Sequence, residues 1–378
     1  MKLKFKEFRF LVFFIPIFFC KLLNITPSSK WFVILSVFCF VSVVLGFFKE
    51  GLSRKKAIIL LMIVFYTGLM VITCGKQGPF FSAIIILALY GIEDKRRIYN
   101  LSFWVGIIAV LVSCYIERNG GVGIRYIGGK WTEMYKRSNI LYISFIAVVA
   151  LYLFLIKDKA IKVRKLIAIF VIGYGMYKYS GSRTGLIIIC LLELMLFAFR
   201  FKSVQKNKLI KTICIYSPII MMIISCILVW GYGKNYIFTV IDNMLQGRIR
   251  QGSLYFDRYS ISVFGQRLYQ NSASTDFWNL DCAYYYMLLG YGLIFTVVWL
   301  WFSCSIIKYL YDNKRFVEVS IMVMYAIYGI SETFLPNGFL NVSIFLYAEY
   351  LYYLLDKRKY GVSTYEDKNN CNVSASIP

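Results

Sequence analysis

The stretch LYISFIAVVALYLFLIKDKAIKVRKLIAIFVIGYGMYKYS, residues 141–180, decides the fold. Two long apolar runs flank a short loop, 157–165, that carries five Lys and Arg residues. A helix that crosses the hydrocarbon core of a bilayer needs about 20 mostly apolar residues, and cationic loops mark the cytoplasmic side. The stretch therefore predicts two membrane-spanning helices joined by a cytoplasmic loop.

The rest of the chain repeats this pattern. Hydrophobic residues make up 59% of the 378 residues and charged residues only 16%, which excludes an ordinary soluble globular domain. Twelve spans are predicted, at 8–26, 30–48, 57–74, 79–92, 98–116, 140–156, 166–179, 186–199, 212–233, 282–307, 317–335 and 340–355. The expected fold is an all-α polytopic integral membrane helix bundle at 1–356, followed by a disordered cytoplasmic tail at 357–378.

The distribution of Lys and Arg predicts the orientation of the bundle. The net charge is +24, and 28 of the 43 Lys and Arg residues fall at the N-terminus, in alternate loops and in the tail. The positive-inside rule then places both termini in the cytoplasm and explains the charge without nucleic acid. The first apolar run lacks a small-residue cleavage site, so we expect the N-terminus to be retained.

Two absences limit the chemistry. The chain contains no histidine, which excludes His-based zinc sites and Ser-His triads. Its ten cysteines show no metal-ligand or redox spacing and are interpreted as small buried side chains. We therefore expect no metal and no cofactor.

The cations that violate the topological bias gather at the predicted outer face. They fall in 117–139, in the turn YSGSRTGL (179–186) with Lys178 before it, and in 234–280. The segment 234–281 is long for a connection in a compact bundle, and long ordered loops are usually functional. These regions are the candidates for an outer site.

Within the long outer loop, helical spacing of apolar residues at 237–245 predicts an amphipathic helix that lies on the outer membrane surface. Arg248, Tyr255 and Tyr259 would share one face of a following helix, which sets a cation beside aromatic rings. The alternative is a surface helix with solvated charges.

The YSGSRTGL turn has the composition of an anion site. Arg183 offers a planar fork of donors that fits phosphate oxygens and keeps its charge in a poorly solvated place. Gly181 and Gly185 would let a ligand approach the backbone, while Ser182 and Thr184 offer hydroxyls and a cap for the next helix. The alternative is an interfacial arginine in a short capped turn.

These motifs resemble those of one membrane family. The turn resembles the Ser-Arg-Thr/Gly turn of the Wzy-type polymerases and O-antigen ligases. Three further stretches are similar to family segments in the same order: LQGRIRQGSLYFDRYSISVFGQ (245–266), LDCAYYYMLLGYG (280–292) and SETFLPNGFLN (331–341). The chain lacks the histidine of many ligases, which favours a polymerase.

The resemblance implies a metal-independent membrane glycosyltransferase of the bacterial plasma membrane. It would transfer a growing glycan from undecaprenyl diphosphate to a sugar hydroxyl of another lipid-linked repeat unit, at the outer face. Its expected partners are the undecaprenyl-diphosphate-linked oligosaccharide and the lipid bilayer, with room for a chain-length regulator protein. The family's outer-loop arginine is matched by Arg125, although the residues around it follow the family pattern only loosely.

The reaction assigns roles to residue types. A diphosphate leaving group needs fixed cations, for which we rank Arg183 first, then Arg248 and Arg125. The acceptor hydroxyl needs a base. Glu332 ranks first there, as base or as partner to an arginine, because a carboxylate near apolar surroundings must be paired.

Other assignments keep open alternatives. Asp281 is the second candidate base and would otherwise cap the helix that follows it; Asp257 and Asp242 are weaker candidates. Tyr255, Tyr259 and Tyr126 would stack on sugars or anchor at the membrane interface. Two alternative functions also stay open: a flippase for the same lipid-linked oligosaccharide, without chemistry, and an O-antigen-type ligase.

Overall fold

The computed structural model describes residues 4–23, 41, 54–92, 95–118, 125–127, 130–132, 138–156, 161–269 and 280–357. Helices lie at every predicted span except 30–48, of which a single residue is described. Of the predicted tail at 357–378 only Lys357 is described, as the last residue of a helix, and the loop residues 270–279 also lie outside the described part of the chain.

The described elements are fifteen helices, a π-helical turn and two short strands. The helices are α1 (Phe5–Leu22), α2 (Arg54–Cys74), α3 (Gly78–Ala88), α4 (Arg96–Arg118), α5 (Ser138–Ile156), α6 (Val163–Ser180), α7 (Arg183–Ala198), α8 (Lys202–Lys206), α9 (Lys208–Gly231), α10 (Tyr236–Met244), α11 (Arg248–Arg258), α12 (Ala283–Tyr286), α13 (Leu293–Asp312), α14 (Phe316–Tyr328) and α15 (Ile344–Lys357). A π-helical turn, Met287–Tyr291, follows α12 directly. Most of the described chain is therefore helical.

Five helices among the described residues are long and apolar enough to cross a membrane. Their candidate spans are Ala57–Cys74, Arg96–Ile116, Asn139–Ile156, Lys208–Gly231 and Leu293–Asp312. Helices α3, α14 and α15 are apolar but shorter. The protein is thus built as a helical membrane protein, whereas a total of twelve crossings stays a prediction.

One short hairpin accompanies the helices of this predominantly helical chain. Strands β1 (Arg125–Ile127) and β2 (Lys130–Thr132) pair antiparallel, with Arg125 opposite Thr132 and Ile127 opposite Lys130. Both strands lie in the predicted outer loop 117–139, where only two residues separate them. A hairpin connection of this length is common between antiparallel strands.

Aromatic rings fill the centre of the bundle. The Phe14 ring of α1 stacks on Phe18 and on Phe339, with centroids 4.9 and 5.4 Å apart, and lies 5.3 Å from Phe345. All four side chains are fully buried. Large rings of this kind bury much apolar area at fixed geometry, so they hold α1 against the segment that precedes α15 and against α15 itself.

The predicted span 282–307 is not one straight helix. It is broken at Gly292, which has φ +88° and separates the π-helical turn from α13. A Cβ at Gly292 would lie 2.3 Å from the backbone nitrogen of Gly265, which itself has φ +91°. The backbone of the segment around Gly265 therefore contacts the backbone at this break, and Leu293 N donates to Ser262 O at 2.9 Å.

The predicted span 317–335 is also wrong at its end. Helix α14 stops at Tyr328, and the irregular segment 329–343 follows it, mostly buried. Ser82 of α3 holds this segment, donating to Pro336 O at 2.7 Å and accepting from Gly338 N at 2.8 Å. Irregular backbone is tolerated among apolar helices where protein groups satisfy it. Glu332 therefore lies on this segment and not in a helix.

Helices α7 and α14 define the two ends of the bundle. Phe199, just after α7, stacks on Phe316, the first residue of α14, with centroids 5.0 Å apart. The two packed helices thus run antiparallel, which brings Arg183 and Tyr328 to one end. We call this end, with Glu332, the site end, and the other, with Arg315, the opposite end.

Candidate functional site

The YSGSRTGL turn is held by its own hydroxyls and glycines. Gly181 ends α6 with φ +74°, and its N–H donates to Tyr177 O at 2.7 Å. Ser182 is the N-cap of α7: its hydroxyl accepts from Gly185 N at 3.4 Å and donates to Asn139 Oδ1 at 3.1 Å. The predicted cap is therefore confirmed, and the Ser182 hydroxyl is engaged within the protein.

The space at Gly185 is filled by protein rather than left open to a ligand. A Cβ at Gly185 would lie 2.2 Å from the Tyr142 ring of α5. Tyr142 is fully buried and donates its hydroxyl to Gly173 O at 2.9 Å, which fixes the ring between α6 and α7. The prediction that Gly185 admits a ligand to the backbone is thus corrected: the glycine admits Tyr142.

Arg183 occupies the first position of α7 and is exposed, and Thr184 beside it is half-buried. The structure gives the Arg183 side chain no hydrogen bond or ion pair with another described residue. The N-terminal end of a helix carries partial positive charge, so a cation there is disfavoured unless an anion joins it. Arg183 thus places an exposed cation at the first turn of α7.

Arg248 and Glu332 form a buried ion pair at the site end. Arg248 Nη2 lies 3.1 Å from Glu332 Oε1, and the two side chains are only 9% and 11% exposed. The two residues are 84 positions apart in the chain, and the pair ties α11 to the segment 329–343. The predicted pairing of Glu332 with an arginine is confirmed.

The position of Arg248 is set by the turn before it. Gln246 and Gly247 both have positive φ, +60° and +81°. Asp242 of α10 reaches across this turn, and its Oδ1 accepts from Ile249 N at 2.8 Å and from Arg250 N at 3.0 Å. Asp242 is thus a buried helix cap, which explains why this carboxylate is there and argues against its use as a base.

Helix α10 turns its apolar face outward. Tyr236, Ile237 and Met244 are 79%, 60% and 79% exposed, whereas Asp242 on the other side is 5% exposed. Lys234 Nζ lies 3.6 Å from the centroid of the Trp230 ring beside this helix. An outward apolar face next to a Trp–Lys pair is typical of a helix that lies in a membrane interface.

Burial changes the acidity of Glu332. Removal of the carboxyl from water raises the pKa of Glu332 to about 8, with Arg248 opposing the shift and Asp281 adding to it. A base with a pKa near the working pH transfers protons efficiently. The environment therefore suits Glu332 to accept a proton.

Asp281 lies close to this pair. Its charge acts on both Glu332 and Tyr255, and the nearby Ala283 N donates to Gly329 O at 2.8 Å. This bond ties the start of α12 to the segment that carries Glu332. The residue that directly precedes α12 is Cys282, which makes no side-chain cap.

The two tyrosines of α11 are part of the packing. Tyr255 is fully buried and donates its hydroxyl to Tyr269 O at 2.9 Å. Tyr259, half-buried, stacks on Tyr255 at 5.9 Å between centroids, and its hydroxyl accepts from Tyr269 N at 2.9 Å. Together they hold the loop 259–269 against α11. The Tyr255 ring is thus enclosed by protein rather than open to a sugar.

The structure brings together some predicted residues and leaves others apart. Arg248, Glu332 and Asp281 form one cluster, and Arg183 lies at the same end of the bundle through the antiparallel α7–α14 pair. For Arg125 the structure describes only the backbone, on β1. The contact of Tyr142 with Gly185 carries no local sequence signal, because the two residues are distant in the chain.

Comparison of the chain with protein-family models, with curated proteins and with solved structures finds no match. The residues of the site and the motifs of the sequence are therefore the basis for a functional assignment.

Proposed function

We propose that the protein is a bacterial glycan polymerase, a membrane glycosyltransferase that joins undecaprenyl-diphosphate-linked repeat units at the outer face of the plasma membrane. The observation that carries the proposal is the buried Arg248–Glu332 pair, at the end of the bundle that also holds the exposed Arg183. A fixed cation and a poised carboxylate are the two groups this transfer needs.

The proposed reaction is a single displacement at the anomeric carbon of the donor. A hydroxyl oxygen of the acceptor sugar forms a bond to that carbon, while the bond from the carbon to the phosphate oxygen breaks. Glu332 takes the hydroxyl proton, and undecaprenyl diphosphate leaves with the electron pair. One displacement would invert the configuration at the anomeric carbon.

Binding of the donor diphosphate would change the contacts of Glu332, the proposed base. In the described structure Arg248 Nη2 donates a hydrogen bond to Glu332 Oε1. An incoming diphosphate would compete for the same guanidinium, because phosphate accepts from its donor fork at least as well as a carboxylate. Arg183 would bind the outer part of the diphosphate. Donor binding would thereby release Glu332 for the acceptor proton.

Gene deletion separates the proposed reaction from the alternatives. Loss of a polymerase leaves single repeat units on lipid at the cell surface. Loss of a flippase leaves the same units facing the cytoplasm, and loss of a ligase leaves long polymer on the lipid carrier. Either of the last two outcomes would contradict the proposal.

Arg183→Lys tests the cation assignment in the complemented strain. Lys keeps the charge but loses the planar fork, so we expect polymer synthesis to fall about tenfold to a hundredfold, less than the ~10²–10³ typical of losing a donor outright. Arg164→Lys, on the α6 side of the predicted cytoplasmic loop, is the matched control and should leave synthesis unchanged. Normal long polymer from Arg183→Lys at equal protein level would remove Arg183 from the site.

A further inference from the structure

One buried hydroxyl at the site end, that of Tyr328, has no hydrogen-bond partner in the part of the chain that the structure describes. Tyr328, the last residue of α14, is fully buried, and its hydroxyl makes no hydrogen bond with any described residue. Other buried tyrosines nearby are satisfied: Tyr284 donates to Ala326 O at 2.6 Å and Tyr325 to Leu340 O at 3.2 Å. Buried polar groups without partners destabilise a fold, so each needs an explanation.

The backbone around Tyr328 joins it to the proposed catalytic cluster. Ser331 N and Ser331 Oγ both donate to Tyr328 O, at 3.0 and 3.1 Å, which folds the chain into a tight turn just before Glu332. The next residue, Gly329, accepts from Ala283 N and so connects to the segment of Asp281. The turn thus brings the end of α14, Glu332 and the segment of Asp281 close together.

Charges at this point act on the Tyr328 ring. Both Glu332 and Arg248 lie within electrostatic range of its hydroxyl, and so does the hydroxyl of Tyr142, which packs on Gly185 of the YSGSRTGL turn. The ring itself is fixed by edge contact with Phe334, with centroids 5.0 Å apart. Tyr328 therefore presents a rigid, neutral hydroxyl beside a charged pair.

We propose that the Tyr328 hydroxyl is a substrate contact: it donates to an oxygen of the acceptor sugar, next to the hydroxyl whose proton passes to Glu332. The assignment rests on the proposed function and adds to it a residue that binds the acceptor. Tyr328 keeps its own proton throughout, so the proton balance of the displacement is unchanged.

The acceptor suits this hydroxyl better than the diphosphate does. The diphosphate is an anion, for which Arg183 and Arg248 already supply charge. A repeat-unit sugar is neutral and rich in hydroxyls, and a neutral donor in a buried place is what such a ligand needs. If the hydroxyl of Tyr328 donates to a substrate oxygen, it lacks an acceptor when no substrate is bound.

A purely structural hydroxyl and a substrate contact predict opposite results for Tyr328→Phe. The variant keeps the ring and its contact with Phe334, and it removes only a buried group that lacks a partner. We expect its thermal midpoint to equal or exceed that of the wild-type protein. Binding of the acceptor, in contrast, should weaken because a hydrogen bond to the sugar is lost.

The experiment uses the full-length protein in liposomes. The substrate is the lipid-linked single repeat unit extracted from a strain that lacks the protein, titrated as acceptor at constant donor polymer. For Tyr328→Phe we expect the half-saturating acceptor concentration to rise about tenfold, with the donor dependence unchanged. A shift in donor dependence alone would overturn the assignment to the acceptor.

Two matched variants control the measurement. Tyr66→Phe removes another buried hydroxyl without a described partner, in α2, and should leave the acceptor dependence as in wild type. Tyr284→Phe removes a satisfied hydroxyl and should lower the thermal midpoint. Tyr328→Phe with wild-type kinetics, or with a loss of stability or folding like that of Tyr284→Phe, would overturn the inference.

Variants of Glu332, Arg248 and Tyr328 distinguish a wrong role for Tyr328 from a wrong proposed function. If Glu332→Gln and Arg248→Lys make normal polymer, the proposed function itself is wrong. If those two variants are inactive while Tyr328→Phe shows wild-type acceptor dependence, only the role of Tyr328 is wrong.

Discussion

The two ends of the bundle each hold a buried charge cluster, and the clusters are built differently. At the opposite end, Arg315 pairs with both Glu318, at 3.1 Å, and Glu349, and Lys95 lies 3.5 Å from Glu349. Two cations there meet two carboxylates through several hydrogen bonds. At the site end, the Arg248 side chain makes one described contact, with Glu332, and a second carboxylate, Asp281, lies near it.

We interpret the opposite-end cluster as structural and the site-end cluster as part of the proposed active site. At the opposite end Arg315 and Glu349 each have two partners of opposite charge, although Glu318 Oε2 is buried without a hydrogen bond to any described residue. Charges that share partners in this way recover part of the free energy lost on burial. At the site end Arg248 and Glu332 share one described hydrogen bond, and the Tyr328 hydroxyl has no partner among the described residues, so this cluster recovers less of that free energy. We therefore expect variants at the opposite end to change stability and variants at the site end to change activity.

The largest effect is expected for Glu332→Gln. The amide is nearly isosteric but is a far weaker base, so polymer synthesis should fall about 10²- to 10⁴-fold, the usual range for loss of a general base. Synthesis is measured in liposomes with extracted lipid-linked repeat unit, and the thermal midpoint of the same sample is recorded. Activity within about threefold of wild type would show that Glu332 has a structural role, like the charges at the opposite end, and would contradict the proposed difference between the two ends.

Arg315→Met tests the opposite end. It leaves Glu318 and Glu349 without their shared guanidinium, so we expect a loss of about 3–5 kcal/mol of unfolding free energy. The measurement is thermal or denaturant unfolding in detergent. Lys211→Met breaks the exposed pair with Asp312, 39% and 44% exposed, and should change stability by about 0–1 kcal/mol. A stable Arg315→Met protein without activity would reverse the roles of the two ends.

Gly185→Ala tests whether the glycine of the YSGSRTGL turn serves packing or a ligand. The new methyl group would meet the Tyr142 ring, and overpacking of this kind lowers the unfolding free energy by about 1–3 kcal/mol. Gly175→Ala on α6 is the control, because a Cβ there meets nothing within 4 Å. If Gly185→Ala were fully stable but inactive, the glycine would serve a ligand after all.

The pH dependence of the reaction gives the smallest and most specific effect. Because burial raises the pKa of Glu332 to about 8, the base is mostly protonated at lower pH. We expect the rate at low substrate to rise about tenfold per pH unit below about pH 8 and to level off above it. This acidic limb should be absent from the residual activity of Glu332→Gln.

The same group affects stability with a definite sign. Its folded-state pKa, about 8, is raised above the ordinary value of 4.5, so the folded protein binds the proton more tightly than the unfolded chain. The unfolding free energy should therefore decrease as the pH rises from about 4.5 to about 8. A thermal midpoint that increases over this range in wild type, relative to Glu332→Gln, would contradict the assignment.

The sequence predicted the helices because long apolar runs allow few alternatives, but it did not predict where two of them break. Gly292 and residues 329–343 lie within apolar runs, and only distant partners such as Gly265 and Ser82 satisfy the irregular backbone. The pairing of Glu332 was predictable because a carboxylate in apolar surroundings needs a cation. The packing role of Gly185 was not, since Tyr142 is far away in the chain.

The contact between Gly265 and Gly292 has a consequence for engineering the protein. A Cβ at Gly292 would lie 2.3 Å from Gly265 N, and a Cβ at Gly265 would lie 2.5 Å from Gly290 O, just before the helix break, so neither position tolerates replacement alone. A chimera that imports the loop around Gly265 from another helical membrane protein without its matching helix break would clash at the backbone. Recombination between related chains should therefore succeed only when both segments come from the same parent.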